Sequence, residues 1–306
     1  MRETYGKLLP GMRTADLAGK LIVIEGTDGA GRTTQMNLLK PWLEEQGHAV
    51  LDTGMTRSVL AGEGIRRAKE GNNLGRVTQS LFYATDFIDR LENEITPALR
   101  AGFVVLTDRY VYSLMARAIV RGMDPHWIRS IYSLALKPDA VFYLRLSIDE
   151  LIPRVVFSRG FDYWESGMDL FPGHDVYESF RNYQAALLTE FDCLGEEFGF
   201  QTIDATQSAE SVFAQLKAGI SQILEAHPEP QAHAAARAMN RTAASVPLAP
   251  SATENQRRRF ERELLGAIRA GFTGDLLPVG AVPLHAGANG NGHGNGKGNG
   301  HSRHSG

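Results

Sequence analysis

One stretch near the start of the chain limits the fold more than any other. Leu21-Ile22-Val23-Ile24, a short continuous apolar run, leads into the glycine-rich turn Gly26-Thr27-Asp28-Gly29-Ala30-Gly31-Arg32-Thr33. A run that is apolar at every position suits a strand buried on both faces, the kind found in parallel sheets covered by helices. The turn fits GxxxxGK[ST] at every fixed position but one, where arginine stands for lysine. Its glycines let the backbone approach a phosphate closely, and the N–H groups at the start of the following helix point at that phosphate. Thr33 is placed to put its hydroxyl on Mg²⁺. Arg32 keeps the lysine's charge, but its guanidinium is larger, planar and forked, which changes its reach. A simple strand-to-helix turn that happens to be rich in glycine is the competing reading of this stretch taken alone.

The rest of the chain repeats the alternation of apolar runs and helical patterns. This gives an α/β class with a parallel sheet flanked by helices, and together with the phosphate-loop motif the expectation is a three-layer P-loop NTPase fold. Met36, Leu39, Trp42 and Leu43, closed by Gly47, read as a helix that Pro41 should kink or break. Strands are expected at 49–51, 103–106, 141–144 and 200–203, and helices at 124–136 and 212–224. Val77, Leu81, Ala84, Ile88, Leu91 and Ile95 mark the predicted buried stripe of a long helix ending near Gly102, with Phe82 and Asp86 on another face.

These elements define a domain at 19–226, after an N-terminal extension at 1–18. Residues 227–252 have the proline and alanine content of a linker. Residues 253–272 offer a capping box, Thr253 with Gln256, and one apolar stripe, so they predict an amphipathic helix that packs on the domain or on another copy rather than on a membrane. Residues 273–306 form a low-complexity Gly/Asn/His tail, too poor in apolar groups to offset the entropy of ordering, and its histidines predict no metal site.

A net charge of -3, from 32 basic and 35 acidic residues, gives no overall cationic surface for nucleic acid or an anionic membrane, so anion binding must be local. No apolar run reaches transmembrane length. The single cysteine, Cys193, cannot make an intrachain disulfide, and the first residues lack the apolar core of a signal peptide. Both features fit a cytoplasmic location.

Further residues, taken in order, carry a resemblance. The segment 21–35, with Glu25 before the loop and Gln35 after it, resembles the first strand and phosphate loop of the thymidylate kinases, a family of P-loop nucleoside-monophosphate kinases. Thr56-Arg57-Ser58, with Gly62, Ile65 and Arg66, is similar to the family's segment whose arginine holds the acceptor monophosphate. Phe82 falls where the family stacks an aromatic ring on thymine, and Asp108-Arg109-Tyr110 matches its DR(Y/W/H/F) signature. Pro138-Asp139, and Arg154 with Arg159-Gly160, are placed like the approach to its lid.

The resemblance implies transfer of the γ-phosphoryl group of ATP to dTMP, giving dTDP and ADP with Mg²⁺, by a protein that is commonly a homodimer. It places Asp28, Arg32, Arg109 and Arg159 in catalysis. It places Gly26, Thr27, Asp28, Gly29, Ala30, Gly31, Arg32, Thr33, Thr34 and Arg154 around ATP, and Arg57, Phe82, Asp86, Arg109 and Ser113 around the acceptor. The chemistry agrees, since phosphoryl transfer depends on positioning and positive charge more than on covalent help. Arg109 stands at the C-terminal end of a strand beside the loop, the usual ligand crevice of open α/β sheets. A structural pair with Asp108 is its competing reading, as a solvated surface arginine is for Arg57. Asp28 is read as orienting the acceptor's sugar hydroxyl, with a turn cap as the alternative.

Besides Arg32, other positions depart from the family. Asp86 stands where an arginine usually reads the thymine carbonyl, and an ionised carboxylate only accepts hydrogen bonds, which suits an exocyclic amino group and a cytosine-like base. Arg117, near the base, is the candidate partner that would restore a thymine pocket by pairing with Asp86. Tyr163 stands where a lid arginine is expected when the loop has none, as with Gly29 here, and Arg159 is the candidate substitute. Such arginines are worth roughly 10³ to 10⁵ in rate in related systems. The expected function is therefore a dTMP kinase. The alternatives are a kinase of shifted base preference, a weakly active or inactive nucleotide-binding module, and a P-loop kinase for another small acceptor, the last disfavoured by Arg57, Phe82 and Arg109.

Overall fold

The computed structural model describes residues 2–71 and 74–225, so the expectations for the linker, amphipathic helix and tail lie outside the described residues. Five strands, β1 (Lys20–Gly26), β2 (Val50–Gly54), β3 (Val104–Asp108), β4 (Ala140–Arg145) and β5 (Gln201–Asp204), form one parallel sheet in the order β2-β3-β1-β4-β5. The central strand shows why a fully apolar run was needed. Leu21 and Val23 enter the core on one face, Ile22 and Ile24 the core on the other, and all four are fully buried. Each such side chain contributes about 1.5–3 kcal/mol relative to exposure.

On the Ile22 face lie α1 (Arg32–Glu45), α7 (Ile148–Ser158) and α9 (Ala209–Glu225), which contribute Met36, Leu39, Leu151, Val155, Leu216 and Ile220. The Val23 face is covered by α3 (Arg76–Arg90), α4 (Thr96–Arg100), α5 (Val111–Val120), α6 (Pro125–Ile131) and α8 (Val176–Phe198). The short α2 (Gly62–Glu70) adds Ile65 to this second core. The N-terminal extension joins it as well, burying Leu9, Met12 and Leu17, bridging Thr4 to Leu136, and bonding the Tyr5 hydroxyl to that of Tyr112.

Two local expectations are corrected. Helix α1 continues through Pro41, which lies on its exposed side, where water can satisfy the carbonyl left free. In α3, Val77 and Leu81 are about half exposed, while Gln79, Ser80, Tyr83, Ala84, Asp86, Phe87 and Arg90 face inward. Polar residues that satisfy one another inside set the rotation of this helix. A π-type turn at Leu91–Ile95 follows, in which Leu91 and Ile95 return the apolar stripe to the core, and Leu99 continues it before the helix stops at Arg100. Helices α2, α5, α7 and α8 were not anticipated, though α7 and α8 have a readable start: a Ser147/Glu150 capping box and Asp175 as N-cap. Among the described residues no helix is long and apolar enough to cross a membrane.

Candidate active site

The glycine-rich loop joins β1 to α1 at the C-terminal edge of the sheet, directly beside the end of β3. Its conformation depends on glycine. Gly29 has φ +89°, and a Cβ there would come within 2.9 Å of Val155 Cγ2, because α7 packs against the loop. Gly31, at φ +93°, takes the left-handed conformation that starts α1. Thr33 and Thr34 are exposed in the first helical turn, so the Thr33 hydroxyl is open to an incoming ion.

Arg32 folds back over the loop. One terminal nitrogen donates to the carbonyls of Gly26 and Thr27, each at 2.5 Å, and Nε donates to Asp108 Oδ1 at 2.6 Å. Asp108 at the end of β3 is therefore tied to the loop's own arginine, not to Arg109.

Asp28 is the hub of the site. Its nearly buried carboxylate pairs with Arg109 and Arg117 and lies 3.7 Å from Arg32 and 3.6 Å from Arg159. These arginines come from the start of α1, the turn after β3, helix α5 and the segment after α7. Arg159 also pairs with Glu165. Four guanidinium groups against Asp28, Asp108 and Glu165 leave positive charge uncompensated, which suits a multiply charged anion. Burial, reinforced by neighbouring Arg117, brings the Arg109 pKa down to about 9, so the group is still charged at neutral pH.

Arg109 is held under strain, with φ +69°, where a non-glycine residue is uncommon. The anchor is Glu25 at the end of β1, whose fully buried carboxyl accepts from Tyr110 N (2.8 Å), Ser113 N (3.2 Å) and Ser113 Oγ (2.5 Å). Burial raises the pKa of Glu25, opposed by these hydrogen bonds. Ser113 is accordingly corrected from an acceptor contact to part of this anchor, being fully buried and already bonded.

The acceptor side differs more from expectation. Asp86 is fully buried and faces no open pocket. Oδ2 accepts from Thr56 N (3.0 Å) and Arg90 Nε (3.1 Å), and Oδ1 from Ser58 N (3.0 Å). It pins the loop after β2, where Thr56 has φ +64°. The reading of Asp86 as a base contact is therefore corrected, and so is its pairing with Arg117: Arg90, one turn along α3, takes that place. Arg57 lies by Gly54 at the end of β2 and pairs with Asp52 at 2.9 Å. Phe82 is half-buried with its ring toward Gly64 of α2. Arg154 donates to the Ala205 carbonyl at 2.8 Å, in the loop between β5 and α9.

Trp164 was missed by the sequence reading. Its buried ring donates from Nε1 to Lys69 O at 2.9 Å and separates two spaces. One is a groove of about 470 Å³ against α2, lined by Thr56, Ile65, Lys69 and Tyr163 among others. The other is a cavity of about 10 Å³, room for one water, between α3 and α5. Its signal in the sequence was an aromatic pair, Tyr163-Trp164, two residues after Phe161.

A five-stranded parallel sheet with a glycine-rich anion loop at its carboxyl edge, flanked by converging arginines, defines a P-loop fold built to handle phosphate. Comparison with known proteins narrows this class. A model of the thymidylate kinase family matches residues 24–216. The chain is 36% identical to a probable thymidylate kinase 2 of Saccharolobus solfataricus over 211 residues, 68% of this chain and 99% of that protein. It is 32% identical to a thymidylate kinase of Bifidobacterium longum over 215 residues, 67% of this chain and 98% of that one. A probable thymidylate kinase of Thermococcus kodakarensis is 38% identical over 143 residues, 44% of this chain and 70% of that one. The chain belongs to the thymidylate kinase family.

Proposed function

We propose that this protein transfers the γ-phosphoryl group of ATP to dTMP, giving dTDP and ADP. The observation that carries the reading is the convergence of Arg32, Arg109, Arg117 and Arg159 on Asp28 beside an open glycine loop. Transfer between two anionic substrates needs positive charge fixed on both, and this cluster lies between the loop and the acceptor side.

The donor's phosphates fit the loop N–H groups and Arg32, with Arg154 beside the β5–α9 loop toward the rest of the nucleotide. A divalent cation would be held at the exposed Thr33 hydroxyl, one residue after the Arg32 that pairs with Asp108, and Mg²⁺ once bound would offset charge on the phosphates. Arg109 and Arg57 bind the acceptor phosphate, Phe82 supports the base, and Asp28 orients the sugar hydroxyl while holding Arg109 in place. Arg159, already within reach of Asp28, supplies the lid charge that Tyr163 cannot. Little proton chemistry is asked of any side chain, since the acceptor is already a phosphate anion.

The test is release of ADP from Mg-ATP with dTMP, dUMP, dCMP, UMP, CMP, AMP and GMP, run beside Arg32→Lys. Turnover fastest with dTMP is expected. Arg32→Lys should retain activity to within about tenfold, because the charge is kept while two carbonyl contacts and the Asp108 pair are weakened. ATP binding with no turnover of any acceptor, in either protein, overturns the proposal.

A further inference from the structure

The segment ahead of β1 touches the residues that hold Arg109. Its residues 3–5 run antiparallel to 135–137: Thr4 bridges Leu136, Tyr5 N donates to the Ala135 carbonyl (3.0 Å), and Lys137 N donates to the Glu3 carbonyl (2.8 Å). Two contacts lead from this short ladder to the start of α5. The Tyr110 hydroxyl donates to the Leu136 carbonyl at 3.0 Å, and the Tyr112 hydroxyl bonds that of Tyr5. The rings follow the same path. Tyr5 meets Tyr112 edge-on with 6.2 Å between centroids, and Tyr112 lies 6.0 Å from Tyr110.

Arg109 depends on such supports. Its φ of +69° is strained, and a strained backbone persists only where its surroundings over-determine it. Toward the sheet, Arg109 N donates to the Ile24 carbonyl at 3.1 Å, while Glu25 holds Tyr110 N and Ser113. Further support comes through the side chains of Tyr110 and Tyr112, both fully buried. Among the described residues the Tyr112 hydroxyl has no hydrogen-bond partner besides Tyr5. Tyr5 itself is only partly buried and lines two cavities, of about 180 and 310 Å³. It therefore adds less to the core than Leu9, Met12 or Leu17 of the same segment, and its hydroxyl can be removed without opening a void.

We propose that Tyr5 is a positioning residue for Arg109, acting through Tyr112 at the start of α5; this rests on the kinase reading above. With the Tyr5 hydroxyl in place, the first turn of α5 is fixed from the sheet and from the N-terminal segment, and Arg109 stays in the strained conformation that turns its guanidinium to Asp28. Without it a buried hydroxyl is left unpaired, and the population shifts toward arrangements in which Arg109 relaxes. The N-terminal segment thereby supports the active site as well as the core.

The experiment uses the full chain as wild type, Tyr5→Phe, Arg109→Ala and the double variant. It measures kcat and KM for dTMP and ATP, thermal unfolding, and hydrogen exchange over residues 109–113. Tyr5→Phe should lower kcat/KM for dTMP about threefold to tenfold, the worth of one hydrogen bond, while KM for ATP stays within about twofold because the loop that takes ATP is untouched. In Arg109→Ala there is no guanidinium to position, so adding Tyr5→Phe should change kcat/KM by less than about twofold. The amides of Arg109, Tyr110 and Ser113 should exchange faster in Tyr5→Phe, with the unfolding midpoint nearly unchanged. Wild-type kinetics in Tyr5→Phe, or a loss that is the same with and without Arg109, overturns the proposal, gives Tyr5 a purely structural role and leaves the kinase reading intact. If wild type turns over no acceptor, the kinase reading fails instead, and hydrogen exchange decides the role of Tyr5. Faster exchange confined to residues 109–113 then supports it, and exchange that is unchanged, or faster throughout the chain, overturns it.

Discussion

Two aspartates in this protein are both nearly or fully buried and both paired with arginine, yet they do opposite work. Asp86 closes its charge balance within one helix: Arg90 sits four residues on, and two backbone N–H groups fill the remaining acceptor positions. Nothing there invites a ligand. Asp28 gathers arginines from four separate elements and cannot neutralise them, so the charge it organises stays available. Burial and pairing alone do not mark a functional carboxylate. A charge balance left open toward a crevice does.

The largest effect that would separate the two knots is expected at Arg109→Ala. It should lower kcat with dTMP by roughly 10³ or more, as loss of a phosphate-clamping arginine does. The folding midpoint should move little, since Asp28 keeps Arg117 and Arg32. A stability loss as large as the rate loss would erase the distinction. Next comes Asp86→Ala, which strands the buried Arg90 and two N–H groups and should cost about 3–5 kcal/mol of stability in urea denaturation. In the cold, where the variant is still folded, its kcat should remain within about tenfold of wild type. A kcat collapse without unfolding would return Asp86 to the acceptor site.

The smallest effect sharpens the comparison at a third buried carboxyl. Glu25→Gln can keep all three hydrogen bonds, with the amide oxygen accepting from the two backbone N–H groups and the amide nitrogen donating to Ser113 Oγ. Because burial raises the pKa of Glu25 above its ordinary 4.5, the folded state holds the proton more tightly. Wild-type stability should therefore fall as pH rises from about 4.5 through the folded pKa, whereas the variant lacks this contribution. Denaturation curves between pH 4 and 8 should show the variant gaining on wild type as pH rises. Parallel pH profiles would show that the pKa of Glu25 is not shifted.

The parallel sheet and the loop were legible because local pattern is enough for them: β1 is apolar throughout, and only glycine tolerates the backbone of that turn. The strands fell within a few residues of their expected places. Arg109 could be expected at the carboxyl edge because it follows a strand, whereas Arg159 was read only through the family resemblance, since α7 was not anticipated. The helix rotation of α3 was not legible, because hydrophobic periodicity ranks Val77 and Leu81 above Asp86 and Arg90, and cannot see that a closed ion pair is as easily buried as an apolar one. Nor could periodicity show Trp164 as a partition, since that depends on where the segment after α7 comes to rest.

By itself, then, the sequence determined the strands of the sheet along the chain and the glycine-rich loop, both properties of neighbouring residues and their spacing. The tertiary structure decided which charges meet. It brought Arg117 to Asp28 across 89 positions and Arg32 to Asp108 across 76, while it left Asp86 to its neighbour on the same helix. Electrostatic partnership depends on distance in space and on exclusion of water, and neither is written in the spacing along a chain.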